Sequence, residues 1–130
     1  MLATYIVVMA MGALGCAARM WLSNFLARKY GASFPIGTLV VNILGCLFIG
    51  AFVGVTRPDG GFWLHPLVRQ AVTVGLFGGF TTFSSFSLQT IALLSDGEWG
   101  YAAWNITLSM GLCLLAVWLG HLVALHVFRG

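Results

Sequence analysis

The placement of charge constrains this chain more than any other feature. Six basic and three acidic side chains divide 130 residues so that 1–18, 30–56, 70–95 and 99–128 carry none, stretches of 18, 27, 26 and 30 residues. A helix crosses a bilayer in ~20 predominantly apolar residues, so the last three stretches qualify outright. The first is cut by Arg19, yet apolar residues resume from Met20 to Ala27 and carry the span onward. The expected fold is an all-α integral membrane protein, one transmembrane domain over 1–130 with spans near 3–26, 34–56, 68–95 and 99–127. Charged residues make up 7% of the chain, against about 25% in soluble domains, too few to coat a water-facing surface. That excludes a soluble enzyme, a secreted disulfide scaffold and a disordered tail.

The ends of the spans carry their own signals. Tyr30-Gly31-Ala32-Ser33-Phe34-Pro35 reads as a turn that places Pro35 near the first turn of the second helix, where a missing N–H costs little. Arg57-Pro58-Asp59-Gly60-Gly61 closes that helix, and Asp96-Gly97-Glu98 is a tight link. Trp21, Trp63 and Trp99 fall at boundaries, where an indole meets both hydrocarbon and water. Ala13-Leu14-Gly15-Cys16 loosely resembles a lipoprotein cleavage box, but no basic region precedes the apolar run, so cleavage is not expected. Cys16, Cys46 and Cys113 all lie inside spans, are odd in number and lack C-x-x-C spacing; they read as small packing residues.

Lysine and arginine counts set membrane orientation. With four spans, one side carries Arg57, Arg69 and Arg129, and the other Arg28 and Lys29, with Arg19 if it snorkels that way. The bias is nearly zero. A chain without a preferred orientation inserts both ways, and two opposed copies can pair as inverted repeats do in larger transporters. An antiparallel, dual-topology homodimer is expected.

Gly50-x-x-x-Gly54 and Gly75-x-x-x-Gly79 suit close helix packing. Helix three needs more, because Gly78-Gly79 and the hydroxyls of Thr81, Thr82, Ser84, Ser85 and Ser87 fall at mid-membrane depth. Glycine costs about 1 kcal/mol relative to alanine in a helix, and irregular backbone at that depth survives only where protein, an ion or water satisfies it. Helix three is therefore expected to break mid-span, and two such breaks on a dimer axis would share a cation. Phe83 and Phe86, three apart, share a helical face, and the positive edges of their rings can line an anion path. Thr38 and Asn42 share a face on helix two; Asn105 and Ser109 do so on helix four, with Thr107 nearby, all capable donors.

Gly12-x-x-Gly15-x-x-x-Arg19, Gly37-Thr38-Leu39-x-Val41-Asn42-x-x-Gly45, Gly78-Gly79-x-Thr81-Thr82-Phe83-Ser84-Ser85-Phe86 and Asn105-x-x-x-Ser109-x-Gly111-Leu112 together resemble the Fluc (CrcB) fluoride channels over essentially the whole chain. The resemblance implies a dual-topology dimer in the bacterial inner membrane, with two pores through which fluoride leaves the cell passively. By matching position, Phe83 and Phe86 correspond to paired pore phenylalanines, Asn42 to a pore amide, Thr38 and Ser109 to pore-lining hydroxyls, and Arg19 to a vestibule arginine. Gly78 and Thr81 correspond to positions whose backbone carbonyls hold a structural sodium ion. Gln89 stands where the family often has an acidic residue. The expected partners are fluoride, the bilayer and a second copy, with no nucleic acid. The alternative is a small multidrug-resistance-type transporter, which needs an intramembrane carboxylate for proton exchange; no span here contains one.

Overall fold

The computed structural model describes residues 1–59 and 61–128; the expectations that involve Gly60 and Arg129 lie outside the described residues. Helix α1, Leu2–Tyr30, runs 29 residues, about 43 Å at 1.5 Å per residue. It crosses a hydrocarbon layer of ~30 Å with length to spare. Arg28 and Lys29 occupy its last turn, where cations complement the negative helix end, and Gly31 at φ 85° turns the chain away. Helix α2, Ile36–Val55, starts directly after Pro35.

The third span, Pro66–Ser95, is composite. Helix α3, Pro66–Gln70, is capped by the His65 side chain, which accepts from the Leu67 N–H at 3.2 Å. A π-helical turn follows over Ala71–Phe77, then one α turn, α4, Gly78–Phe80. The Thr73 hydroxyl donates to the Arg69 carbonyl at 2.8 Å where the wide turn begins, a side-chain bond of the kind that bends helices. Thr81 (ψ 155°) and Thr82 (φ −151°, ψ 112°) are extended, and helix α5 covers Phe83–Ser95. The departure from helix therefore falls two residues beyond the glycine pair that sequence reading singled out. Gly78 and Gly79 stay helical; the β-branched threonines take the extended backbone that suits them. Gly97, φ 76°, makes the turn into α6, Trp99–Val127.

The glycines act through contact. A Cβ on Gly79 would sit 2.5 Å from the Gly12 carbonyl oxygen, and one on Gly75 2.8 Å from that of Val8. Thus α1 meets the third span backbone to backbone, as small residues allow in lipid. Helices α2 and α6 run side by side along a second such seam, where Gly50 lies against the Val117 carbonyl and Gly120 against that of Leu47. Gly120→Val is expected to force these helices apart and to destabilise the fold by at least the ~1–3 kcal/mol of an overpacked core. Thermal unfolding in detergent measures this; unchanged stability would mean that the seam is looser than drawn.

Among the described residues, four helices are long and apolar enough to cross a membrane, and much of their apolar surface faces outward. Among the described residues there is no β-strand.

Candidate functional site

The extended pair Thr81-Thr82 would be intolerable at mid-membrane depth without partners, since each unsatisfied backbone group there costs several kcal/mol. For Thr82, Asn42 supplies them from α2. Its Oδ1 accepts from the Thr82 N–H at 2.7 Å, and its Nδ2 donates to the Thr82 carbonyl at 3.0 Å. One planar amide replaces both strands of a missing helical ladder. Thr82 then starts the next helix as its N-cap, its Oγ1 accepting from the Ser85 N–H at 3.2 Å and donating to Ser85 Oγ at 3.0 Å.

These bonds have a second consequence. In an α-helix the carbonyl of residue i accepts from the N–H of residue i+4. The N–H that would serve Gly78 belongs to Thr82 and goes to Asn42; the one that would serve Thr81 belongs to Ser85 and goes to the Thr82 hydroxyl. The Gly78 and Thr81 carbonyls are thereby released from their helical donors, and the side toward Gly78 is exposed.

A cavity of about 270 Å³ adjoins the extended pair, walled by Asn42, Cys46, Phe83, Phe86, Ser109 and Cys113 among others. The two phenyl rings lie 5.3 Å apart, centre to centre, and are tilted by 53°. Phe86 is 7% exposed and Phe83 68% exposed, so one ring belongs to the core and the other reaches outward. The Ser109 hydroxyl is buried with no hydrogen-bond partner. The cavity wall is predominantly apolar, with the phenyl rings at its surface and the Asn42 amide and the Ser109 hydroxyl belonging to residues set behind it, neutral donors of the kind that can meet a small anion.

A second cavity, about 510 Å³, opens at the end where α1 and α5 finish and α2 and α6 begin, lined among others by Asn24, Thr38, Gln89, Asp96, Glu98 and Tyr101. Thr38 is thus separated from the phenylalanine cavity although it shares a helix face with Asn42. The Gln89 Oε1 is buried and unpartnered. Asn105, 2% exposed, donates to Thr90 Oγ1 at 2.9 Å, and Thr90 donates to the Phe86 carbonyl at 2.8 Å. This chain of bonds holds α5 to α6 and fixes the turn that carries Phe86. Thr107 faces outward. Arg19 lines neither cavity; its guanidinium approaches Cys16 Sγ at 3.5 Å.

Sequence reading missed the roles of Thr82 and Thr90. Thr82 carried a usable signal, a hydroxyl residue immediately before a helix. Thr90 carried none.

Four membrane-capable helices, with a hydroxyl- and amide-lined interruption in the third, define a multi-pass helical membrane protein with an internal polar site. The family described as CrcB-like protein, Camphor Resistance (CrcB), matches residues 6–121, and the chain belongs to it. Similar curated proteins include the "Fluoride-specific ion channel FluC" of Rhodospirillum rubrum, 50% identical over 127 residues and 98% of each chain. That of Opitutus terrae is 51% identical over 120 residues, covering 92% of this chain and 91% of the relative. That of Methylocella silvestris is 49% identical over 123 residues, 95% and 94% of the two chains.

Proposed function

We propose that this chain is a fluoride-selective channel that lets the anion leave the cell passively and so confers resistance to fluoride. The observation that carries this reading is the buried, unpartnered hydroxyl of Ser109, a residue that lines one cavity with Asn42, Phe83 and Phe86. Fluoride is small and tightly hydrated, so a path must offer closely spaced donors to replace its water. Neutral hydroxyl and amide donors do so without a fixed positive charge that would trap the ion. Phe83 and Phe86 contribute positive ring edges, Thr38 lines the wider cavity at one end of the helices, and Arg19, outside both cavities, adds a positive charge on α1 that attracts anions. The names of the relatives support the choice of ion.

The functional unit we infer is an antiparallel dimer in the inner membrane. Near-zero basic bias supports it, as do Ser84 and Thr107, polar side chains exposed on the single chain within membrane-spanning helices. A second copy would cover them.

The released Gly78 and Thr81 carbonyls fit a structural sodium ion: neutral, hard oxygen donors with no carboxylate for a divalent cation. Two copies would bring four such oxygens together. The Gly78 and Thr81 carbonyls would hold such an ion, which would satisfy carbonyl dipoles that lipid cannot and would tie the two interrupted helices together.

Purified protein in liposomes should release fluoride far faster than chloride. Equal chloride flux, or none for either ion, would overturn the reading. Slow exchange of sodium for a bulky organic cation should reduce fluoride flux, with no radiolabelled sodium uptake through the protein. Full activity after verified sodium removal would remove the cation from the scheme.

A further inference from the structure

Cys46 on α2 and Cys113 on α6 both line the cavity that holds Phe83, Phe86, Asn42 and Ser109, on two helices whose backbones touch one turn further on. Nothing in the donor-lined path described above requires thiols; serine would be the better donor at either position. Their placement is rigid. One turn before them on the two helices lie Asn42 and Ser109, and one turn after them Gly50 touches the Val117 backbone. The separation of the two helices at Cys46 and Cys113 is thus set by the α2–α6 seam.

We propose that Cys46 and Cys113 form a paired-thiol site for a soft, two-coordinate cation, whose binding obstructs the cavity beside Phe83 and Phe86. Thiolate is the metal-binding form, and soft ligands select soft metals over hard ones such as sodium. With mercuric ion as the probe the reaction balances without redox change. Two S–H bonds break, two Hg–S bonds form, Hg(II) keeps its oxidation state, and two protons leave to solvent. Neutral mercuric chloride reaches such a site through the bilayer or the vestibule, and on binding its two Hg–Cl bonds also break and two chloride ions leave with the protons. Bridging α2 to α6 sets the metal in the cavity of about 270 Å³ beside Phe83 and Phe86 and narrows the way for a passing anion. Obstruction of transport rests on the fluoride-channel reading; metal binding does not.

Cys16 is exposed and would take mercury by itself, so the test uses Cys16→Ser protein. Expected in detergent is one mercuric ion per chain, with Hg–S ultraviolet absorption and two protons released per metal. Cys46→Ser and Cys113→Ser should each bind at least tenfold more weakly and yield the metal to a competing monothiol. Cys46→Ala, which adds no new donor, controls for the hydroxyl, and the Cys46→Ser/Cys113→Ser double variant should bind none. Two mercuric ions per chain with one proton each, or unchanged affinity in the single variants, would overturn the paired site.

In liposomes, mercuric chloride should cut fluoride efflux more than tenfold, reversibly with dithiothreitol, and leave the double variant untouched. Full flux at saturating, stoichiometric mercury would overturn the obstruction. If untreated protein passes no fluoride, the channel reading fails instead, and binding stoichiometry still decides the site.

Discussion

Replacing Asn42 with alanine will abolish fluoride flux and destabilise the protein at once. The two effects share a cause, because the lost carboxamide is the partner of both backbone groups of Thr82. Leaving a buried donor and acceptor unpaired costs about 1–3 kcal/mol each, so about 2–6 kcal/mol in all. Asn42→Asp keeps the acceptor for the Thr82 N–H, but turns a carboxylate oxygen toward the Thr82 carbonyl and puts negative charge in an anion path. Its flux should be lost as completely, with at least as large a loss of stability, because a buried carboxylate then faces the Thr82 carbonyl unpaired. Phe83→Ile supplies the contrast. That ring is largely exposed on the single chain and makes no hydrogen bond, so the substitution should reduce flux while shifting stability by less than about 1 kcal/mol. Liposome efflux together with thermal unfolding in detergent separates these outcomes. An Asn42→Ala protein of normal stability would mean that water, not this amide, satisfies Thr82.

Two added lysines should abolish function without touching the site. Three basic residues lie on one side, and two or three on the other according to where Arg19 reaches. Asp59→Lys with Phe62→Lys, both at exposed loop positions, raises one side from three to five and removes an acid. Since the bias of Lys and Arg sets orientation, all copies should then insert one way and no antiparallel pair can form. Ala32→Lys with Ser33→Lys, also exposed, pushes the opposite way. Each variant alone should give no fluoride efflux, and coexpression of the two should restore it. Accessibility labelling of the unmodified protein should find both orientations. A single orientation in that experiment would rule the antiparallel dimer out.

How much of this was legible beforehand follows from the range of the interactions involved. The four spans could be read from charge placement because partition into a bilayer depends on the hydropathy of each segment alone. The turns at Gly31 and Gly97 could be read because each answers to a local backbone demand, a positive φ that glycine meets without strain. An interruption near residues 78–87 was foreseeable from the polar run, but its position was not. Local propensity points at the glycines, whereas both glycines stay helical, Gly79 against α1, and Thr82 is held from α2.

The sequence by itself determined which segments enter the membrane, that no carboxylate enters with them, and which hydroxyls, amides and rings travel to mid-span depth. Those are properties of single segments, settled by transfer free energy. Only the tertiary structure decided that Asn42 clasps Thr82 from forty residues away, that the bonds of Thr82 release the Gly78 and Thr81 carbonyls, and that Thr38 faces a different cavity from Asn42. It also brought together Cys46 and Cys113, which spacing alone reads as unrelated. A hydrogen bond or a thiol pair across two helices depends on the register of those helices, and here register is set by where glycine lets one backbone touch another.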